Sequence, residues 1–99
     1  MSKRVFIERH SCTVWISFDE HGSLLLEGQD LDPRIPDVDE YEYAITVKPE
    51  HFDEIRAALN APGADVLEAM CANAEAIFAR GETTWLEMHE IPYGFSNYF

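Results

Sequence analysis

The sequence predicts an α+β domain: a meander-like antiparallel sheet of about four strands in the N-terminal half, covered on one face by two to three helices from the C-terminal half. Three observations carry this expectation. Apolar residues alternate through the first half and recur at helical spacing through the second. The chain has 99 residues, the size of one domain spanning 1–99. Hydrophobic residues make up 46% of it and aromatic residues 12%, enough for a packed core.

The elements follow in order. "RVFIERH", Arg4 to His10, alternates loosely. In "TVWISF", Thr13 to Phe18, Val14, Ile16 and Phe18 share one face, and Thr13, Trp15 and Ser17 the other. His10-Ser11-Cys12 between them reads as a tight connection or a bulge. "DEHG", Asp19 to Gly22, is a turn, and "SLLLEGQDL" returns as the second arm of a hairpin. Asp30 to Glu40 is a loop, because Pro33 and Pro36 lack an amide donor and restrict the residues before them. "YEYAITVK" is the clearest strand. Tyr41, Tyr43, Ile45 and Val47 form its apolar side, with Glu42, Ala44, Thr46 and Lys48 opposite. Tyr43 is expected in the core; Tyr41, at the strand's start, suits either core or surface.

Pro49 suits a first helical position, and Phe52, Ile55 and Leu59 recur at helical spacing behind it. "APG" breaks that helix. Asp65 with Glu68 predicts a capping box. The stripe Leu67, Met70, Cys71, Ala74, Ile77 and Phe78 predicts one long helix ending near Gly81. Thr84 with Glu87 offers a further cap for a short helix over Trp85 to Glu90, although this stretch also tolerates a strand. The tail holds Tyr93, Phe95, Tyr98 and Phe99. Burying a large apolar side chain is worth about 1.5–3 kcal/mol, so the tail is expected to dock on the domain or on a second copy.

The net charge is −12, from 19 acidic and 7 basic residues. Phosphates and anionic lipid need cations to neutralise them, so nucleic acid and membrane surfaces are not expected partners. A basic protein is, because a negative field speeds its approach. Ten of the nineteen acids lie between Glu27 and Glu54, against Arg34 and Lys48. Acids interleaved with tyrosines suggest a partner-binding surface of Asp37, Asp39, Glu40, Tyr41 and Glu42. Tyr93, Phe95, Tyr98 and Phe99 are the alternative, a homodimer contact.

Chemistry is poorly supported. Asp30 and Asp32 start like a calcium loop, but Arg34 and Ile35 occupy a ligand position and the glycine position. No zinc spacing exists, and no metal or other cofactor is expected. His10 and Cys12 are a third, enzymatic possibility, since an imidazole can favour a thiolate; no catalytic residue is assigned. Cys71, on the apolar stripe, reads as an inert core thiol. The N-terminus lacks the apolar run of a signal peptide, no stretch reaches membrane-span length, and a cytoplasmic protein with free thiols is expected.

Gly28, Asp30 and Leu31, then Glu40, Tyr41, Glu42 and Tyr43, then Thr46 and Val47 form a pattern, G-x-D-L…E-Y-E-Y-x-x-T-V. With the helical half and aromatic tail, it resembles small, acidic, uncharacterised bacterial proteins. The resemblance implies this fold and no activity. At class level the chain is also similar to immunity proteins of bacterial toxin systems, which implies a noncatalytic inhibitor engaging a basic toxin.

Overall fold

The computed structural model describes residues 3–31 and 40–98. Five strands form one antiparallel sheet in sequence order: β1 (Arg4–Arg9), β2 (Cys12–Phe18), β3 (Leu24–Asp30), β4 (Tyr41–Val47) and β5 (Gly94–Tyr98). A 3-10 turn (Pro49–His51) leads into α1 (Phe52–Ala58), followed by α2 (Val66–Ala72), α3 (Ala74–Arg80) and α4 (Glu82–Met88). The expected α+β architecture holds, with one strand and one helix more than predicted.

The turns follow from local chemistry. Arg9 pairs with Cys12, so His10 and Ser11 make a two-residue turn, with His10 at φ 50°. The irregularity in β1 lies elsewhere, between Val5 and Ile7. Asp19 closes the next turn by accepting from the backbone N–H groups of His21 at 2.8 Å and Ser23 at 2.9 Å.

Three helix expectations change. Asp65 caps α2, accepting from the N–H groups of Leu67 and Glu68, but the Glu68 side chain pairs with Arg4 instead of closing the predicted capping box. The long helix, however, is divided at Asn73, whose side-chain amide donates to the Ala69 carbonyl at 2.8 Å. Side-chain bonding to the backbone competes with the helical ladder. Gly81, at φ 96°, ends α3 as expected, but α4 starts immediately afterwards at Glu82, and Thr84 does not cap it.

One face of the sheet carries the core. Val14, Ile16, Leu24, Leu26, Ile45 and Val47 pack with Ile55, Met70, Ile77 and Leu86 from the helices. Tyr43 joins them, as expected. At the β1 edge Arg4 pairs with Glu68 of α2 and Arg9 with Glu75 of α3. The tail docks on the domain: β5 pairs with β4 from Gly94–Thr46 to Tyr98–Glu42.

Candidate functional site

The uncovered face is set by the same register. Val5, Trp15, Glu27, Ala44 and Ser96 form one row across all five strands. Glu8, Thr13, Gln29, Glu42 and Tyr98 form the next. A groove of about 320 Å³ crosses these rows between Lys3, Trp15, Glu27, Gln29, Glu42 and Ala44, and also reaches Gly28 and Tyr43. Among the described residues, none from a helix lines it.

Carboxylates gather along this groove. The Gln29 side-chain amide donates to Glu40 at 2.9 Å and to Glu42 at 3.3 Å. Glu40 and Glu42 therefore titrate as a pair. The hydrogen bond from Gln29 pulls Glu40 below the ordinary glutamate range. Hydrogen bonding to Glu40 pushes Glu42 above it, with desolvation and repulsion adding to the effect. Glu27, directly opposite Trp15, lies 3.5 Å from the Lys3 ammonium. That ammonium also sits 5.2 Å from the centre of the Trp15 ring. The face thus offers acids around one half-buried aromatic.

The residues singled out from sequence separate under this geometry. Glu40 and Glu42 are both exposed; Glu42 lines the groove, and Glu40 is tied to it through Gln29. Asp37 and Asp39 lie outside the described residues. Strand alternation turns Tyr41 to the helix-covered side, where it pairs with Asp30 and its ring lies 5.9 Å from Tyr43. An aromatic that does line the open-face groove together with Glu42 is Trp15. Its parity was readable in "TVWISF", where it stands among the polar positions.

Of the tail aromatics, Tyr93 donates to Glu87 at 2.5 Å. Phe95 stacks on Tyr43 at 6.2 Å yet stays 50% exposed. Tyr98 is placed opposite Glu42 by the strand register, and Phe99 lies outside the described residues.

The covered side holds a polar cluster that the sequence concealed. Glu82 is only 7% exposed and accepts a hydrogen bond from the Tyr43 hydroxyl at 2.5 Å. Burial raises the Glu82 carboxyl above its ordinary range, although the Tyr43 hydrogen bond opposes this. Burial, reinforced by the Glu82 charge, likewise raises the Tyr43 phenol and keeps it protonated. The ring fits because Gly28 has no side chain. A Cβ there would come within 2.2 Å of the Tyr43 ring.

Cys12 borders this cluster. Burial first, then the charges of Asp30 and Glu82, raise its thiol pKa. This is the reverse of what a nucleophilic thiolate needs. His10 stands exposed in the turn rather than beside Cys12 on one strand. Cys12 and Cys71 are both free thiols. Among the described residues, no group of three or more His, Cys, Asp or Glu side chains is placed to hold a metal. No described helix is long and apolar enough to cross a membrane.

Compared with known protein families, with curated proteins and with solved structures, the chain matches none.

Proposed function

We propose that this chain is a noncatalytic binding domain whose uncovered sheet face engages a basic partner protein, as an immunity protein engages a cationic toxin. The observation that carries the reading is the gathering of Glu27, Glu40 and Glu42 around Gln29 and Trp15, on the side away from the helices. Interface centres favour a desolvated aromatic, and charged rims steer the approach. Trp15 supplies the first and the carboxylates the second. A net charge of −12 extends the steering field and raises encounter rates by roughly 10–10³ at low salt.

The test is co-purification from the source cells, together with co-expression of the protein encoded next to this one. Wild type should retain a basic partner. A variant with Asp37, Asp39, Glu40 and Glu42 all neutralised should lose it. Equal recovery of the same basic partner by both ends the reading.

A second reading, self-association, is favoured by the contrast between the two sheet edges. Edge strands invite pairing unless charge or a bulge deters it. The β1 edge has Arg4, Glu8, Arg9 and an irregular register. The β5 edge, Gly94–Tyr98, has no charged residue. Two copies repel across most of their surface but can approach there. Light scattering on wild type and Ser96→Glu tests this, since the new charges would face each other across a two-fold axis. A monomer in both chains at high concentration removes the reading. Deleting the tail is less suitable, because it would also uncover β4.

A further inference from the structure

Lys3 is an unusual occupant of the uncovered face. Its ammonium meets both things a buried-stem cation seeks: a carboxylate, Glu27 at 3.5 Å, and an aromatic ring, Trp15 at 5.2 Å. A cation within about 6 Å of a tryptophan centroid is attracted by the ring's quadrupole. Yet the lysine is weakly held. Its side chain is 54% exposed, and it precedes the first strand. An exposed ion pair of this kind is easily given up to water or to a competitor. The groove also continues past Lys3 to Glu42, whose hydrogen-bond partners among the described residues are Gln29 and Glu40.

We propose that Trp15, Glu27 and Glu42 form a receptor for a lysine or arginine side chain of a basic protein segment, and that Lys3 fills it as a tethered competitor in the free protein. The proposal rests on the basic-partner reading above and names where that partner's anchoring residue goes. The partner's cation displaces the Lys3 ammonium, stacks on Trp15 and takes over Glu27. The neighbouring Glu42 then accepts from a guanidinium or from the next basic residue. Charge complementarity selects the occupant: aromatic and acidic walls favour a cation, and the groove is open at the surface to a protruding side chain. A second copy of this chain brings −12 to the same place and is disfavoured.

The test uses the full chain and an acetylated tetralysine amide, titrated by calorimetry at low salt. Four proteins are compared: wild type, Lys3→Ala, Lys48→Ala and Trp15→Leu. Lys3→Ala and Lys48→Ala change the net charge equally, but only Lys3 touches the receptor. Removing the competitor should make Lys3→Ala bind about two- to fivefold more tightly than Lys48→Ala, the factor corresponding to about 0.5–1 kcal/mol for an exposed cation–aromatic contact. Trp15→Leu should bind more weakly than wild type by a smaller factor, because the competing Lys3 loses its ring contact as well. Tryptophan fluorescence should respond to peptide in wild type and lose that response in Trp15→Leu, because Trp85 is buried.

Equal affinities for Lys3→Ala and Lys48→Ala overturn the proposal, as does the absence of peptide binding in all four proteins. If a basic partner still depends on Asp37, Asp39, Glu40 and Glu42 in co-purification, the binding-domain reading survives that failure. Loss of both results removes both.

Discussion

On β3, Leu24, Leu26 and Gly28 lie beneath the helices, while Leu25, Glu27 and Gln29 lie on the opposite side. The two faces come from the same seven residues, one step out of phase, and each carries a residue foreign to it. The covered face has a buried acid against it, Glu82, reached by Tyr43. The uncovered face holds a tryptophan among carboxylates. Departures from a local rule commonly mark function or strain. Here the two differ in kind. Glu82 is satisfied from within the domain by Tyr43, so its consequences fall on stability. Trp15 stays half-buried beneath the Lys3 ammonium, and the consequences of the proposed reading would fall there on binding rather than on stability.

The largest contrast should come from adjacent residues. Leu26→Ala removes a side chain that is 1% exposed and should cost about 2–5 kcal/mol, from lost burial and the cavity left behind. Glu27→Ala, one position along and facing outward, should change stability by about 0.5 kcal/mol or less. Urea denaturation of both variants checks this. Comparable losses would mean that the second face is covered too.

That phase relation was the legible part of the molecule. One-sided burial writes a period of two directly into "TVWISF" and "YEYAITV", so β2, β4 and the core side of Tyr43 were legible in the sequence. Asp65 and Gly81 were legible because caps and helix ends depend on chemistry within a few residues. The fifth strand was not. "GFSNY" has weak alternation and becomes a strand by pairing with β4, far away in sequence. The division at Asn73 was hidden because the stripe keeps its spacing across the break. The burial of Glu82 was hidden because its partner, Tyr43, is 39 residues away. On the open face, the parity of Trp15 was visible, but its meeting with Lys3 and Glu27 depends on register and on the path of the chain before β1. The acidic character was plain from composition, whereas the division of Tyr41 from Glu40 and Glu42 needed the register.

A smaller loss is expected where the covered face has its closest fit. Gly28→Ala places a methyl group where the Tyr43 ring already lies, 2.2 Å from its nearest atom. The ring must move, and it cannot do so without disturbing its hydrogen bond to Glu82. Overpacking of this kind costs about 1–3 kcal/mol. Gly28→Ala combined with Tyr43→Ala should recover part of the loss, because the clash is gone. Thermal unfolding of the two single variants and the double variant measures the coupling. Strict additivity would show that the ring and the glycine do not meet.

Tyr43→Phe keeps the ring and removes only the donor. A buried acceptor left without its partner costs about 1–3 kcal/mol. The donor matters most when Glu82 is ionised, so this cost should increase as pH rises. A cost that is the same in acid and alkali would mean that Glu82 does not titrate against Tyr43.

The smallest effect follows from Glu82 itself, and its sign is the informative part. Burial raises the folded-state carboxyl above its ordinary value of 4.5. The folded protein therefore holds this proton more tightly than the unfolded chain does. Its contribution to stability is fully present below the unfolded value and is lost as pH rises through the raised folded value. Glu82→Gln cannot ionise, yet its side-chain carbonyl still accepts from Tyr43. Relative to wild type, the glutamine variant should therefore gain stability as pH rises above 4.5, by up to about 1.4 kcal/mol for each pH unit separating the two values. The exposed acids are common to both chains, so their titration largely cancels in the difference. Denaturation curves from about pH 4 to pH 8 provide the comparison. A constant offset between the two proteins would place Glu82 in contact with water and would erase the distinction between an acid satisfied from within and the acids exposed on the open face.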